Sequence, residues 1–221
     1  CFDETADYDG LTIHEINDAL YNFTEANPDF HLDLIGFDAC LMATYEAAAH
    51  MQYYADFMVA SEELEPSLGW NYAWLNALGD NPALDAQSIG VAIADAYMEA
   101  CMDENPDDYL SMSVLYLPAM DYLVSTMETY ASYLSQALDA GQLSTFSRAR
   151  QRMYAFGDFD SATSDMVDMM ALIDGTRTIA PQTADVLQTA YERVVRYNVG
   201  TRKFDYLTGM SVYFPSGSYE G

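Results

Sequence analysis

Cys40 lies in the stretch Asp33-Leu-Ile-Gly-Phe-Asp-Ala-Cys-Leu-Met, and its setting suits a nucleophile. An apolar run (Leu34, Ile35, Phe37) leads into Asp38, one small residue and then the thiol. The pattern predicts a buried strand over 32–37 and a helix over 41–54. The strand end would fix the position of Cys40, and the helix N-terminus would favour its thiolate. A cysteine nucleophile needs a base, most often a histidine. His14 falls in an earlier predicted helix, and His31 precedes the strand at the end away from Cys40. His50 lies about 15 Å along the following helix. None is placed for a dyad, and each reads better as a surface or packing histidine. The residues alone supply a nucleophile without a base.

Asp38 is two residues before Cys40, so strand alternation puts both side chains on one side. A carboxylate that close raises a thiol's pKa. Asp38 therefore either faces a cation, such as the Arg or Lys of a substrate, or caps the next helix. Glu62, Glu63 and Glu65 follow the second apolar run, Phe57-Met-Val-Ala-Ser. If the two strands are parallel, these acids emerge on the same edge as Cys40. There they lend a second carboxylate to a pocket, hold calcium, or form a solvated loop. Trp70 and Tyr72 either wall that pocket or pack in the core.

The elements that must position these groups read as alternating helix and strand. Thr12 with Glu15 forms a capping box ahead of Ile13, Ile16, Leu20 and Phe23 at helical spacing, and Asn27-Pro28 ends that helix. Further on, 73–78 reads as a short helix, 88–102 as an amphipathic one, and 110–117 as a third strand. Residues 118–138, 142–156, 164–173 and 181–195 read as helices, 196–207 as a strand pair or a loop, and 210–214 as a closing strand. Residues 1–10 read as an acidic loop. The 13 methionines fall mostly among Leu, Ala and Tyr, as in a Met-rich core.

The 221-residue chain carries 35 acidic against 8 basic residues, a net charge of −27, which excludes ordinary nucleic-acid binding. It suits a solubility coat or the steering of cationic ligands. No apolar run approaches the roughly 20 residues of a membrane span. The three cysteines, Cys1, Cys40 and Cys101, form no C-x-x-C pair, so a zinc site is not expected.

Gly36-Phe-Asp-Ala-Cys-Leu-Met-Ala with Glu46 resembles the nucleophile motif of the clostripain-like cysteine peptidases. The likeness continues through Tyr54-Ala-Asp-Phe-Met-Val-Ala-Ser-Glu-Glu, Glu65-Pro, Gly69-Trp-Asn-Tyr and Gly209-Met-Ser-Val-Tyr-Phe-Pro. The resemblance implies a caspase-like αβα sandwich around a largely parallel sheet, shared with gingipains, legumain and separase. It makes 1–221 a single peptidase domain, with a nucleophile-bearing α/β part over 1–117 and a helix-rich extension with a closing strand over 118–221. It implies hydrolysis after Arg or Lys, with Cys40 forming a thioester and Asp38 in the specificity pocket.

Relatives of this type are secreted or surface-attached bacterial enzymes, many of them cut into a light and a heavy chain. Clostripain itself depends on calcium, so calcium stays open here. The family's catalytic histidine sits in a His-Gly motif several tens of residues before the cysteine. This chain has 39 residues before Cys40 and no His-Gly pair. The expectation is that the histidine belongs to a segment upstream of residue 1, on a light chain or in a longer precursor. A non-catalytic domain binding basic peptides is the alternative. A cysteine acyltransferase is a weaker third, because no cofactor site accompanies Cys40.

Overall fold

A computed structural model describes residues 2–3, 5, 9–106, 109–157, 165–201 and 207–216. Cys1 lies outside the described residues, as does most of 202–207. The N-terminal residues expected as a loop form a minimal antiparallel pair, β1 (Phe2–Asp3) with β2 (Asp9–Gly10). Helix α1 (Ile13–Ala26) follows with the expected capping box: Thr12 Oγ1 accepts from Glu15 N, and the Glu15 carboxylate accepts from Thr12 N at 2.8 Å.

Strand β3 (Leu32–Gly36), helix α2 (Tyr45–Met51) and strand β4 (Ala55–Ala60) form a parallel βαβ unit. Helices α3 (Trp74–Asp80) and α4 (Ala86–Glu104) lead to β5 (Ser111–Tyr116). A 3-10 turn at Leu117–Ala119 then opens α5 (Met120–Asp139), followed by α6 (Leu143–Arg150). The sequence reading of 164–173 as one helix is corrected. Met166–Asp168 is strand β6, and α7 (Met169–Thr176) starts behind it, with Asp168 as its cap. Beta-branched Val167 is enclosed by antiparallel pairing with Ser211–Tyr213, so pairing wins over the helical spacing of the methionines. Helix α8 (Pro181–Val194), β7 (Val195–Gly200) and β8 (Ser211–Tyr213) complete the chain.

The main sheet runs β3-β4-β5-β7. The α/β sandwich is as expected, and the pairing within this sheet is mixed. Strand β3 is parallel to β4, while β5 is antiparallel to both neighbours. Helix α4 lies on one face, where Ile93, Tyr97, Met98 and Cys101 pack with Val59, Met112, Val114 and Trp70. On the other face α1, α2, α5, α7 and α8 cover Met58, Ala60 and Leu115. Neighbours in β4 thus feed opposite cores, as a strand buried on both faces requires.

Candidate active site

Pairing with β4 holds β3 up to Phe37, whose N–H donates to Val59 O at 3.0 Å. The chain then leaves the sheet through Asp38, Ala39 and Cys40. The helix expected at once after Cys40 starts later, at Tyr45, and this is a correction to the sequence reading. Leu41 adopts φ 59°, a left-handed conformation uncommon outside glycine. Extended pairing then takes over: Leu41 N donates to Glu63 O at 3.1 Å, Ala43 N to Ser61 O at 2.8 Å, and Ser211 N to Ala43 O at 2.8 Å. Thr44, not Asp38, caps α2, accepting from Ala47 N at 2.9 Å. Cys40 therefore owes its position to a strained turn bracketed by two strands' ends, and no helix begins at it.

The thiol is exposed, and its polar contacts are both with the backbone of Glu65. Glu65 N donates to Sγ at 3.1 Å, and Sγ lies 3.7 Å from Glu65 O. None of the three histidines touches it. His31 pairs with Asp56 at 3.1 Å, His14 sits 3.6 Å from Asp18, and His50 is in the last turn of α2.

Asp38, Glu65, Trp70 and Tyr72 come together beside Cys40. Trp70 N donates to Asp38 Oδ1 at 3.1 Å, and Tyr72 OH donates to Oδ2 at 3.0 Å. Trp70 Nε1 donates to Glu65 Oε2 at 3.1 Å. Trp70 therefore joins the two carboxylates, with its backbone on one and its indole on the other. Gly69 (φ 67°) lets the loop pass close to Asp38, where a Cβ would lie 3.2 Å from Oδ1. Burial, and after it the charge of Asp38, push the Glu65 carboxyl up to about 8, against the pull of the indole hydrogen bond. The Tyr72 hydroxyl is raised, chiefly by its hydrogen bond to Asp38.

Glu62 and Glu63 do not join this cluster. They are 0% and 3% exposed, so neither lines a substrate groove. Glu63 accepts from Gly157 N at 2.8 Å, Tyr154 OH at 2.9 Å and its neighbour Leu64 N, and Glu62 accepts from Gly209 N at 3.0 Å. The three glutamates point three ways: Glu62 and Glu63 inward to different loops, Glu65 to Trp70. Their donors do not converge on a cation, and among the described residues no group of three His, Cys, Asp or Glu side chains gathers for one. Alternation at the end of a strand cannot reveal which of three adjacent acids turns inward. The backbone N–H on the sulfur leaves no mark in the sequence. The partnership of Tyr72 with Asp38 was visible only as an aromatic near the pocket.

The model of the clostripain family matches residues 1–218. Among curated proteins no sequence matches the chain. A B. fragilis cysteine protease superposes with a TM-score of 0.61 at 16% identity, over 94% of this chain and 85% of the other. A clostripain from Bacteroides thetaiotaomicron, bound to the peptide inhibitor BTN-VLTK-AOMK, gives 0.66 at 13% identity, over 99% and 92%. A secreted C11 cysteine protease from the same species gives 0.67 at 18% identity, and the present chain spans 96% of itself but 59% of that enzyme. At these identities the likeness is one of fold. Among the described residues no helix is long and apolar enough to cross a membrane.

Proposed function

The chain belongs to the clostripain family of cysteine peptidases, and on that premise we propose that it cleaves peptide bonds after a basic residue through a thioester on Cys40. The observation that carries this reading is the pairing of an exposed thiol, held by the Glu65 N–H, with a carboxylate pocket built from Asp38 and Glu65 around Trp70. A guanidinium between the two acids would orient the peptide and offset the charge beside the thiolate. Its planar fork suits two carboxylates better than an ammonium does, so Arg is the preferred residue and Lys the second. The peptide inhibitor of the B. thetaiotaomicron clostripain has a sequence ending in Lys, which supports a basic residue in this pocket.

The thiolate attacks the scissile carbonyl, the amine departs with a proton, and water then hydrolyses the thioester. Among the described residues no hydrogen bond engages the Cys40 N–H, which is free to donate to the developing oxyanion. The base is a histidine other than the three in this chain, carried by a light chain or an upstream segment. The secreted relative supports work outside the bacterial cell.

Cys40→Ala should abolish hydrolysis of Arg amides and labelling by an Arg chloromethyl ketone, in the presence of the histidine-bearing segment. Undiminished turnover in that variant would overturn the reading. The lack of a histidine beside Cys40 favours one second reading, a domain that binds basic peptides without cutting them. Arg-peptide binding with no labelling of Cys40, even when the upstream segment is present, would select it.

A further inference from the structure

The backbone N–H groups of two consecutive residues, Thr208 and Gly209, are each held by a different buried acid. Asp168 Oδ2 accepts from Thr208 N and from Thr208 Oγ1, both at 2.7 Å, while Glu62 Oε2 accepts from Gly209 N at 3.0 Å. Asp168 Oδ1 is occupied by Ala171 N at 2.9 Å, the cap of α7. Glu62 Oε1 is fully enclosed and has no acceptor or donor of its own. Glu62 and Asp168 are 0% and 3% exposed, and among the described residues no Lys, Arg or His bonds to either. Two ionised carboxylates side by side in such a site would be strongly unfavourable. One proton between them removes the repulsion and gives the orphan oxygen a partner.

We propose that Glu62 and Asp168 are positioning residues that share one proton and thereby lock together the two segments between which the Cys40 turn hangs. The segments are 61–63 and 208–211. Ala43 donates to Ser61 O on one side and accepts from Ser211 N on the other, and Leu41 N donates to Glu63 O. The backbone hydrogen bonds that tie residues 41–43 to other segments thus end on segments held by this pair. The other titratable groups facing it are Glu63, on the same loop, and Tyr191 of α8, whose hydroxyl bonds Thr208 Oγ1 at 2.8 Å. Burial first, and then the charge of Asp168, hold the Glu62 carboxyl well above the usual carboxylate range, and burial raises Asp168 as well. Since the folded state keeps a proton that the unfolded chain releases, stability declines as pH rises from the ordinary carboxylate range until the shared proton is lost.

Glu62→Gln tests this, because glutamine accepts from Gly209 N–H with its oxygen and donates toward Asp168 with its nitrogen, whatever the pH. The proposal rests on Cys40 as the nucleophile, but both readouts are independent of peptidase turnover, so failure of the proposed function leaves them legible. The first is the urea midpoint from pH 6 to 9. It should fall with pH in the wild type and fall less steeply in E62Q, which keeps only the decline due to the Glu65 proton up to about pH 8, while Glu62→Ala is weakened throughout. The second is iodoacetamide labelling of Cys40, mapped by peptide and corrected for thiolate fraction. It should slow at the alkaline end in the wild type and not in E62Q. A decline of E62Q parallel to wild type would overturn the shared proton. So would damage in E62Q at pH 6 equal to that in E62A, since that would mean the site needs a charge. Alkaline slowing of labelling that is the same in both proteins would overturn the positioning role.

Discussion

The backbone of Glu65 donates to Cys40 Sγ at 3.1 Å while its carboxylate turns away to the Trp70 indole. One residue thus links the nucleophile to the pocket beside it. Its backbone N–H is placed to stabilise negative charge on sulfur, and under the proposed function its side chain would meet the cation of a substrate. Asp38 completes the pocket from the turn after β3, two residues before the thiol. The thiol and both acids therefore move as one unit, set by the ends of two adjacent parallel strands.

Binding of a small guanidinium or amidinium should release a proton. The Glu65 carboxyl is pushed up to about 8, so at pH 7 it is largely neutral in the empty pocket. A cation placed against it favours the ionised form. The affinity for benzamidine should therefore rise with pH, by up to about tenfold per unit, and level off above about 8. Calorimetry in buffers of different ionisation heat reads the proton directly. Glu65→Gln should bind more weakly above pH 8 and release none. A wild-type protein that binds benzamidine at pH 7 without proton release would refute this account of the pocket.

Asp38→Asn should separate recognition from stability. The side chain is exposed, and asparagine still accepts from Trp70 N with its oxygen. What is lost is a charge-assisted contact to the substrate, on the order of 1.5–3 kcal/mol, or about 10- to 150-fold in kcat/KM on an Arg amide. Thermal midpoints of the two proteins should agree closely. A large fall in the midpoint would assign Asp38 to the scaffold.

Gly36→Ala should damage the pocket from behind. A Cβ at residue 36 would lie 2.7 Å from the far edge of the Trp70 ring, so the ring must move. The indole then loses its grip on Glu65, whereas the Cys40 turn, held by 61–63 and 209–211, stays in place. Hydrolysis of basic substrates should fall severalfold while iodoacetamide labelling of Cys40 keeps its rate. Parallel losses in both assays would argue against this division.

The sequence legibly carried the parts that depend on local pattern. The capping box at Thr12 and Glu15, the paired strands flanking α2, and Cys40 beside Asp38 all follow from spacing. Three features did not, each for a physical reason. The sheet's antiparallel half depends on where long connections bring β5 and β7, and no local pattern records that. Val167 lies in a run that fits a helix and becomes a strand only because β8 arrives to pair with it. Glu62, Glu63 and Glu65 look alike in sequence, and only the N–H groups of residues 157 and 209, far along the chain, draw two of them inward. Tertiary partners, not propensity, decided each case.

The delayed start of α2 leads to a last prediction. Because Leu41 turns left-handed, Thr44 N bonds back to Met42 O at 2.8 Å and Thr44 itself is extended, the helix needs its own cap, and Thr44 Oγ1 supplies it to Ala47 N at 2.9 Å. Thr44→Val keeps the shape and the β-branch but removes the acceptor, at a cost of about 1 kcal/mol. In a chain of this size that lowers the melting temperature by roughly 2–4 °C. Thr44→Ser, which restores the oxygen, should recover most of it. If valine melts with the wild type, the cap contributes nothing and the helix is held by packing of Ala47, Ala48 and Met51 alone. If both variants fall together, the methyl group against its buried surroundings matters more than the hydrogen bond. Only a valine-specific loss fits a helix that starts five residues beyond Cys40 because Thr44, and not the Cys40 turn, nucleates it.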